Sequence, residues 1–207
     1  MRILIVRLSA LGDVVTGLHA LAAIKARPDG ARVDWLVEDR FADLLRGHPQ
    51  LDRLLVYPRR ALGRPSGVAR LAALVLAMRR ARYDVALDLQ GNLKSGVLAR
   101  LSGARRLIGL APPHSREGNG IFVRTRLAAP PGNRVGGYLR LVEEALGPGP
   151  AAPALLPATP QLHRAIVLHP GTSRFGAFKR WPARSYAELG DRLAARLGAP
   201  VLLTAGP

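Results

Sequence analysis

An open parallel α/β sheet with helices on both faces is the fold the sequence predicts for residues 1 to about 147. Two observations point to it: short, continuously apolar runs alternate with amphipathic stretches, and brief turns rich in Gly, Ser and Asp separate them. A third observation bounds that domain: a proline-rich stretch follows, and the strand and helix pattern then starts again.

Ile3 to Arg7 opens as a strand, since Ile3 to Val6 is apolar at every position, as in a strand covered on both faces. Ser9-Ala10-Leu11-Gly12 is a short turn into a helix over about Asp13 to Ala26, where Val14, Leu18 and Leu21 form one apolar stripe. Strands follow at Val33 to Val37, Leu54 to Tyr57, Val85 to Leu89 and Arg106 to Gly109. Helices are predicted over about Arg40 to Arg46, Val68 to Arg80, Leu93 to Leu101 and Val135 to Leu146. The stretch Leu71 to Met78 is apolar, but it is short and flanked by Arg70 and Arg79-Arg80, so it reads as an ordinary helix. From Gly147 to Pro160 five prolines exclude both helix and central strand. Beyond them a strand at Ala165 to Leu168, a helix at Ser185 to Leu197 and a strand at Val201 to Thr204 begin a second α/β domain. The division expected is therefore 1–147 for the first domain, 148–162 for a Pro/Ala-rich linker, and 163–207 for the truncated start of a second domain whose remainder is absent from these 207 residues.

The net charge of +17 raises nucleic acid as a partner. Against it, the basic residues are almost all Arg, with only Lys25, Lys94 and Lys179 as lysines, and they are spread along the chain. No aromatic interleaving and no helix-turn-helix or RNA-recognition signature accompanies them. An anionic glycolipid or membrane surface fits the charge better, each basic residue near such a surface adding about 1 kcal/mol of attraction. There are no cysteines, no apolar run long enough to span a bilayer and no signal-peptide pattern at the N-terminus, which together suit a cytoplasmic enzyme. The five histidines show no metal-ligand spacing. His169-Pro170 reads as a structural strand end.

Chemistry enters at Gly12-Asp13. Open α/β sheets bind ligands at strand-to-helix junctions, and Asp13 places a carboxylate at one. Gly12 suits a tight turn or close approach of a ligand. Local sequence alone reads Asp13 more readily as a helix cap, because Asp is common in a first helical turn.

Five blocks in order change that balance. The opening segment MRILIVRLSALGDVVT, Val33-Asp34-Trp35-Leu36-Val37-Glu38 with Phe41-Ala42, and Leu87-Asp88-Leu89-Gln90-Gly91-Asn92-Leu93-Lys94-Ser95 are the first three. Ser115-Arg116-Glu117, and Leu168-His169-Pro170-Gly171-Thr172-Ser173 with Lys179-Arg180-Trp181-Pro182, complete the set. Together they resemble the lipopolysaccharide heptosyltransferases of glycosyltransferase family 9 over essentially the whole chain. The resemblance implies a GT-B fold, with a Rossmann-like N-terminal domain for the acceptor and a second Rossmann-like domain for the nucleotide sugar. It implies inverting transfer of heptose from ADP-heptose to the Kdo region of a lipopolysaccharide precursor, Kdo-lipid A, at the cytoplasmic face of the inner membrane. The enzyme would be peripheral, with no metal or other cofactor and no nucleic-acid partner.

Residue by residue, the resemblance makes Asp13 the general base. It assigns the donor diphosphate to Gly171, Thr172, Ser173 and Lys179. A spacer from Arg174 to Phe178, longer than the usual motif, leaves Arg174 or Arg180 able to share the part of Lys179. Arg116, with Glu117 orienting it, is the acceptor-side anion binder, and Arg59, Arg60, Arg64, Lys94 and Ser95 join it at the acceptor end. Two departures stand out: His19 where a proline is usual, expected to alter packing only, and Asn133-Arg134-Val135 where a His often begins the helix, expected to remove an acceptor contact. The alternatives are a family 9 enzyme with another acceptor or nucleotide sugar, or an inactive truncated remnant that only binds acceptor.

Overall fold

The computed structural model describes residues 1–150, 152–154, 165–171 and 180–204. The chain divides into two compact units, Met1–Pro157 and Ala158–Pro207.

The first unit holds six parallel strands: β1 (Arg2–Val6), β2 (Arg32–Glu38), β3 (Arg53–Tyr57), β4 (Val85–Asp88), β5 (Arg106–Leu110) and β6 (Thr125–Leu127). Their spatial order is β3-β2-β1-β4-β5-β6. The order reverses between β1 and β4, whose Ile3 to Val6 pair in register with Val85 to Asp88. The carboxyl ends of these two strands therefore flank the crevice where such sheets bind ligands.

Four helices cover the faces: α1 (Leu11–Lys25), α2 (Pro65–Ala81), α3 (Leu93–Leu101) and α4 (Arg134–Leu146). Successive strand side chains point to opposite faces, so the continuous apolar runs supply two cores. Ile3, Ile5, Val33, Trp35 and Leu87 pack with Val14, Leu18 and Leu21 of α1 and with Tyr138, Leu141 and Val142 of α4. Leu4, Val6, Leu36 and Ala86 pack with Leu74 and Met78 of α2 and with Leu98 and Ala99 of α3. Gly17 brings α1 against Trp35, where an added Cβ would lie 2.9 Å from the indole ring. The indole Nε1 donates to the Arg7 carbonyl at 3.1 Å and so fixes the end of β1.

Three expectations need correction. The helix expected over Arg40 to Arg46 is a single 3₁₀ turn, Ala42–Leu44, cut short by Gly47 at φ +73° and by Pro49. β6 had no counterpart in the sequence reading, because a three-residue, largely exposed edge strand carries little apolar pattern. α2 begins three residues earlier than predicted, with Pro65 in the first turn, where its missing N–H costs nothing.

The second unit has β7 (Ile166–Leu168), α5 (Ala183–Leu197) and β8 (Val201–Leu203), the two strands paired in parallel. His169 lies at the end of β7, its Nδ1 2.6 Å from the Thr204 hydroxyl beyond β8.

Candidate active site at the sheet switch point

Asp13 stands in the first turn of α1, beyond the carboxyl end of β1. Its Oδ2 forms an ion pair with Arg7, and its Oδ1 accepts from Arg134 Nη1 at 3.1 Å. The Ala10 N–H reaches Oδ2 only at 3.4 Å, so the capping bond is long and the two guanidinium groups dominate the carboxylate's surroundings. About a third of the Asp13 side chain faces solvent. Gly12 beside it has no left-handed φ, and an added Cβ would meet nothing within 4 Å among the described residues. The turn itself does not require that glycine; the space in front of it is open to a ligand.

Arg7 is the fixed partner. It is 2% exposed, and its Nη1 donates to the Leu89 carbonyl at 2.5 Å. Burial lowers its pKa from the ordinary guanidinium value, and the nearby Asp13 carboxylate opposes the shift. Its guanidinium lies 6.0 Å from the ring centre of Tyr138 on α4, a helix packed directly on α1. That packing brings Arg134 to Asp13 across 121 residues of sequence.

The turn after β4 braces the same loop. Asp88, 1% exposed, accepts from the amides of Gln90 and Gly91 at 3.0 and 3.1 Å, from the Ser95 hydroxyl at 3.0 Å and from Asn119 Nδ2 at 2.7 Å. Burial raises the Asp88 carboxyl pKa against the pull of these donors. With its backbone held, Gln90 directs Oε1 to the amides of Leu8 and Ser9 at 3.1 and 3.2 Å, which orders the segment leading to Asp13. Gly91, at φ +76°, allows the following loop to approach: a Cβ there would lie 2.4 Å from the His114 carbonyl oxygen. The Arg116 amide donates to the Gly91 carbonyl at 2.8 Å.

The residues expected on the acceptor side separate into two groups. Arg116 is exposed in the loop after β5, loosely paired with Glu117 at 3.9 Å, and lines a cavity of about 420 Å³ with Ser115, Asn119 and Arg126. Arg59 and Arg60 sit in a 3₁₀ turn after β3 that the Asp39 carboxylate anchors through the Arg60 amide at 2.9 Å, and Arg64 caps α2; all three side chains are exposed. Lys94, a third exposed, pairs with the buried Glu38 at the end of β2 and lies 5.6 Å from the Tyr57 ring centre. Ser95 is fully buried, and its hydroxyl is taken up by Asp88 and the Asn92 carbonyl. It therefore shapes the turn and cannot face an acceptor, which corrects the expectation placed on it.

On the donor side Gly171 follows β7, and a Cβ added there would crowd the His169 ring at 3.1 Å. Thr172, Ser173 and Lys179 lie outside the described residues, as does most of the 148–162 linker. Among the described residues no group of three His, Asp or Glu side chains could hold a metal ion, and no helix is long and apolar enough to cross a membrane.

The sequence reading missed Arg7, Arg134, Glu38 and the bracing part of Gln90. For Arg7 a signal existed: an arginine closing a continuously apolar strand must find a buried anion or carbonyl. For Arg134 the sequence marked only a departure from the usual His, and nothing in it signalled the pairing with Asp13, which lies on another helix.

Comparison with known proteins accords with this geometry. The family described as Glycosyltransferase family 9 (heptosyltransferase) matches residues 71–207. Lipopolysaccharide heptosyltransferase 1 of Pseudomonas aeruginosa is 29% identical over 221 aligned residues, covering 95% of this chain and 59% of that protein. The protein of the same name from Campylobacter coli is 32% identical over 101 residues, covering 49% of this chain and 28% of its own length. The chain thus spans less than two thirds of these curated relatives. Among solved structures, E. coli heptosyltransferase WaaC with ADP-2-deoxy-2-fluoro heptose matches with a TM-score of 0.82 at 28% identity, covering 100% of this chain and 70% of that one. E. coli ADP-heptose lps heptosyltransferase II shares the fold, with a TM-score of 0.75 at 22% identity over 98% of this chain and 64% of its own. The six-stranded parallel sheet is the one found in these GT-B heptosyltransferases.

Proposed function

Given that this chain belongs to glycosyltransferase family 9, we propose that it acts in lipopolysaccharide core assembly, transferring heptose from ADP-heptose to a Kdo-bearing lipid A acceptor with inversion at the anomeric carbon. One observation carries the reading: the Asp13 carboxylate stands at the sheet switch point, beside open space at Gly12 and held by the buried Arg7.

In this reading Asp13 takes the proton of the attacking acceptor hydroxyl. An ordinary carboxylate is a weak base, so the proton moves late, as the hydroxyl oxygen bonds to the sugar and the bond to ADP breaks. Arg7 fixes the direction of the Asp13 carboxylate, and the Gln90 brace holds the loop that carries it. Arg116, Arg59, Arg60 and Arg64 receive the acceptor's carboxylates and phosphates, for which the guanidinium fork is suited. Lys94, a third exposed and with one of its three N–H donors on Glu38, shares this task with the others. Charge growing on the departing diphosphate falls to Gly171, Thr172, Ser173 and Lys179, so the reading assigns no part to a metal. The exposed arginines also support peripheral work at the cytoplasmic face of an anionic membrane, with no nucleic acid involved.

The test is direct: purified protein is incubated with ADP-heptose and Kdo-lipid A, and the product is read by mass spectrometry. Transfer of one heptose, reduced about 10³-fold by Asp13→Asn, is expected, in the range general-base catalysis supplies. Equal turnover by Asp13→Asn would refute the assignment of the base, and transfer only from a different nucleotide sugar would refute that of the donor.

A further inference from the structure

We propose that Arg134 is an anion-binding arm that caps Asp13 in the free protein and leaves it for the carboxylate of a sugar-acid acceptor, so that the base is released only when an anionic acceptor is in place. The proposal rests on the acceptor reading above and adds the basis of its selectivity.

Both oxygens of Asp13 are engaged by guanidinium groups, Oδ2 by Arg7 and Oδ1 by Arg134 Nη1 at 3.1 Å. Oδ1 has a second lone pair, but the Arg134 guanidinium competes with a hydroxyl proton for that oxygen and stands in the way of its approach, so the carboxylate is fully available only when one arginine yields. Arg7 cannot: it is 2% exposed and bonded to the Leu89 carbonyl, and withdrawing it would strand a buried charge. Arg134 can. Its side chain is about half exposed, and it projects from the first turn of α4. Asn133 holds that turn by accepting from the Gly136 amide at 2.9 Å, so the backbone stays put while the guanidinium moves. Half-exposed ion pairs separate at little cost, and exchange of one carboxylate for another at Arg134 is close to balanced.

The consequence is selectivity that does not depend on a pocket. A neutral sugar offers Arg134 nothing in return for Asp13 and meets a capped base. A sugar acid supplies the replacement carboxylate, which the planar fork takes with two hydrogen bonds. The position read from sequence as a lost acceptor contact is thereby a gained one. Arg134 is a positioning residue in this scheme; Asp13 alone handles the proton.

The test needs only acceptor binding by the chain. The probes are the methyl glycoside of Kdo and its methyl ester, titrated by NMR against the wild type, Asp13→Asn, Arg134→Gln and the double variant. The spectra themselves report that each variant is folded. The wild type is expected to bind the acid about tenfold more tightly than the ester, the size of one charge-assisted hydrogen bond. Asp13→Asn frees Arg134 and should tighten the acid several-fold while leaving the ester unchanged. Arg134→Gln should reduce the preference for the acid several-fold, the other acceptor-side arginines keeping the rest, and Asp13→Asn should add nothing on top of it. A purely structural role for Arg134 would not produce that coupling. The proposal is overturned if Arg134→Gln keeps the preference in full, if Asp13→Asn still tightens the acid in the double variant, or if the wild type does not bind the acid. A chain that shows the coupling yet makes no heptosylated product would refute the transfer reading alone.

Discussion

Removing the Asp88 carboxylate tests whether the turn after β4 is built as described, and two substitutions give opposed expectations. In Asp88→Ala the Ser95 hydroxyl and Asn119 Nδ2 keep the Asn92 carbonyl, each at 2.9 Å, so neither is stranded. The amides of Gln90 and Gly91 lose their acceptor; Gly91 is buried and Gln90 partly so. At about 1 to 3 kcal/mol per unsatisfied buried group, less the relief of no longer burying a carboxylate, the loss is about 2 to 4 kcal/mol. In Asp88→Asn the remaining oxygen still accepts from both amides, while the new amide nitrogen faces Asn119 Nδ2, donor against donor. Asn119 has a remedy: its Oδ1 is buried without a partner among the described residues, and turning the amide over pairs it with the new donor at the expense of the bond to Asn92. The net cost is about 1 kcal/mol, one ordinary hydrogen bond. Urea unfolding at neutral pH measures both, and hydrogen exchange at Leu8 and Ser9 should quicken in Asp88→Ala as Gln90 loosens. The pH dependence has a definite sign. Burial raises the Asp88 carboxyl in the folded protein, so the stability it contributes is complete below about pH 4 and is lost as pH rises through the elevated folded value. The advantage of the wild type over Asp88→Asn therefore narrows from pH 4 towards neutrality. An Asp88→Asn variant as damaged as Asp88→Ala, or an Asp88→Ala variant within about 0.5 kcal/mol of the wild type, which is ordinary surface-substitution scatter, would refute this account.

Tyr83→Phe should cost stability in a pH-dependent way. The Tyr83 hydroxyl donates to the buried Asp34 at 2.5 Å; burial raises the Asp34 carboxyl and this bond draws it back down. Without the bond the folded carboxyl rises further, so the penalty, about 1 to 3 kcal/mol at neutral pH, should shrink near pH 4 in denaturant melts. Gly91→Ala should lower stability by about 2 to 4 kcal/mol, combining left-handed strain with overlap on the His114 carbonyl, and thermal unfolding should show it. In the proposed transfer, Arg7→Met should reduce kcat about 10²-fold with KM little changed, because Asp13, which Arg134 leaves for the acceptor, loses its one fixed anchor. A wild-type kcat would show that the anchor is dispensable.

The strands were legible because each is a continuous apolar run between turn signals, and doubly covered strands leave that mark. Leu93–Leu101 agrees residue for residue with the expected helix, since Asn92 provides its cap and Ser102-Gly103 its end. The 3₁₀ turn and β6 were not legible, because neither buries enough apolar surface to impose a period. At the site, Asp13 was visible as a carboxylate at a strand-to-helix junction, and it was the family resemblance that singled out both its role and the Asp88 to Ser95 turn. The use of each side chain could not: Ser95 and Arg116 are both polar residues beside a glycine turn, yet one is fully buried and the other exposed.

By itself the sequence determined the alternation of strand and helix, and with it the placing of Asp13 at a strand-to-helix junction, since apolar period and turn chemistry are local properties. It also carried five ordered blocks that indicate the family. Only the tertiary structure decided what surrounds that carboxylate: the strand order that puts β1 beside β4, the packing of α4 on α1 that delivers Arg134, and the burial that makes Arg7 immovable. Those are matters of which distant residues share a few ångströms of low-dielectric space, and no local pattern encodes them.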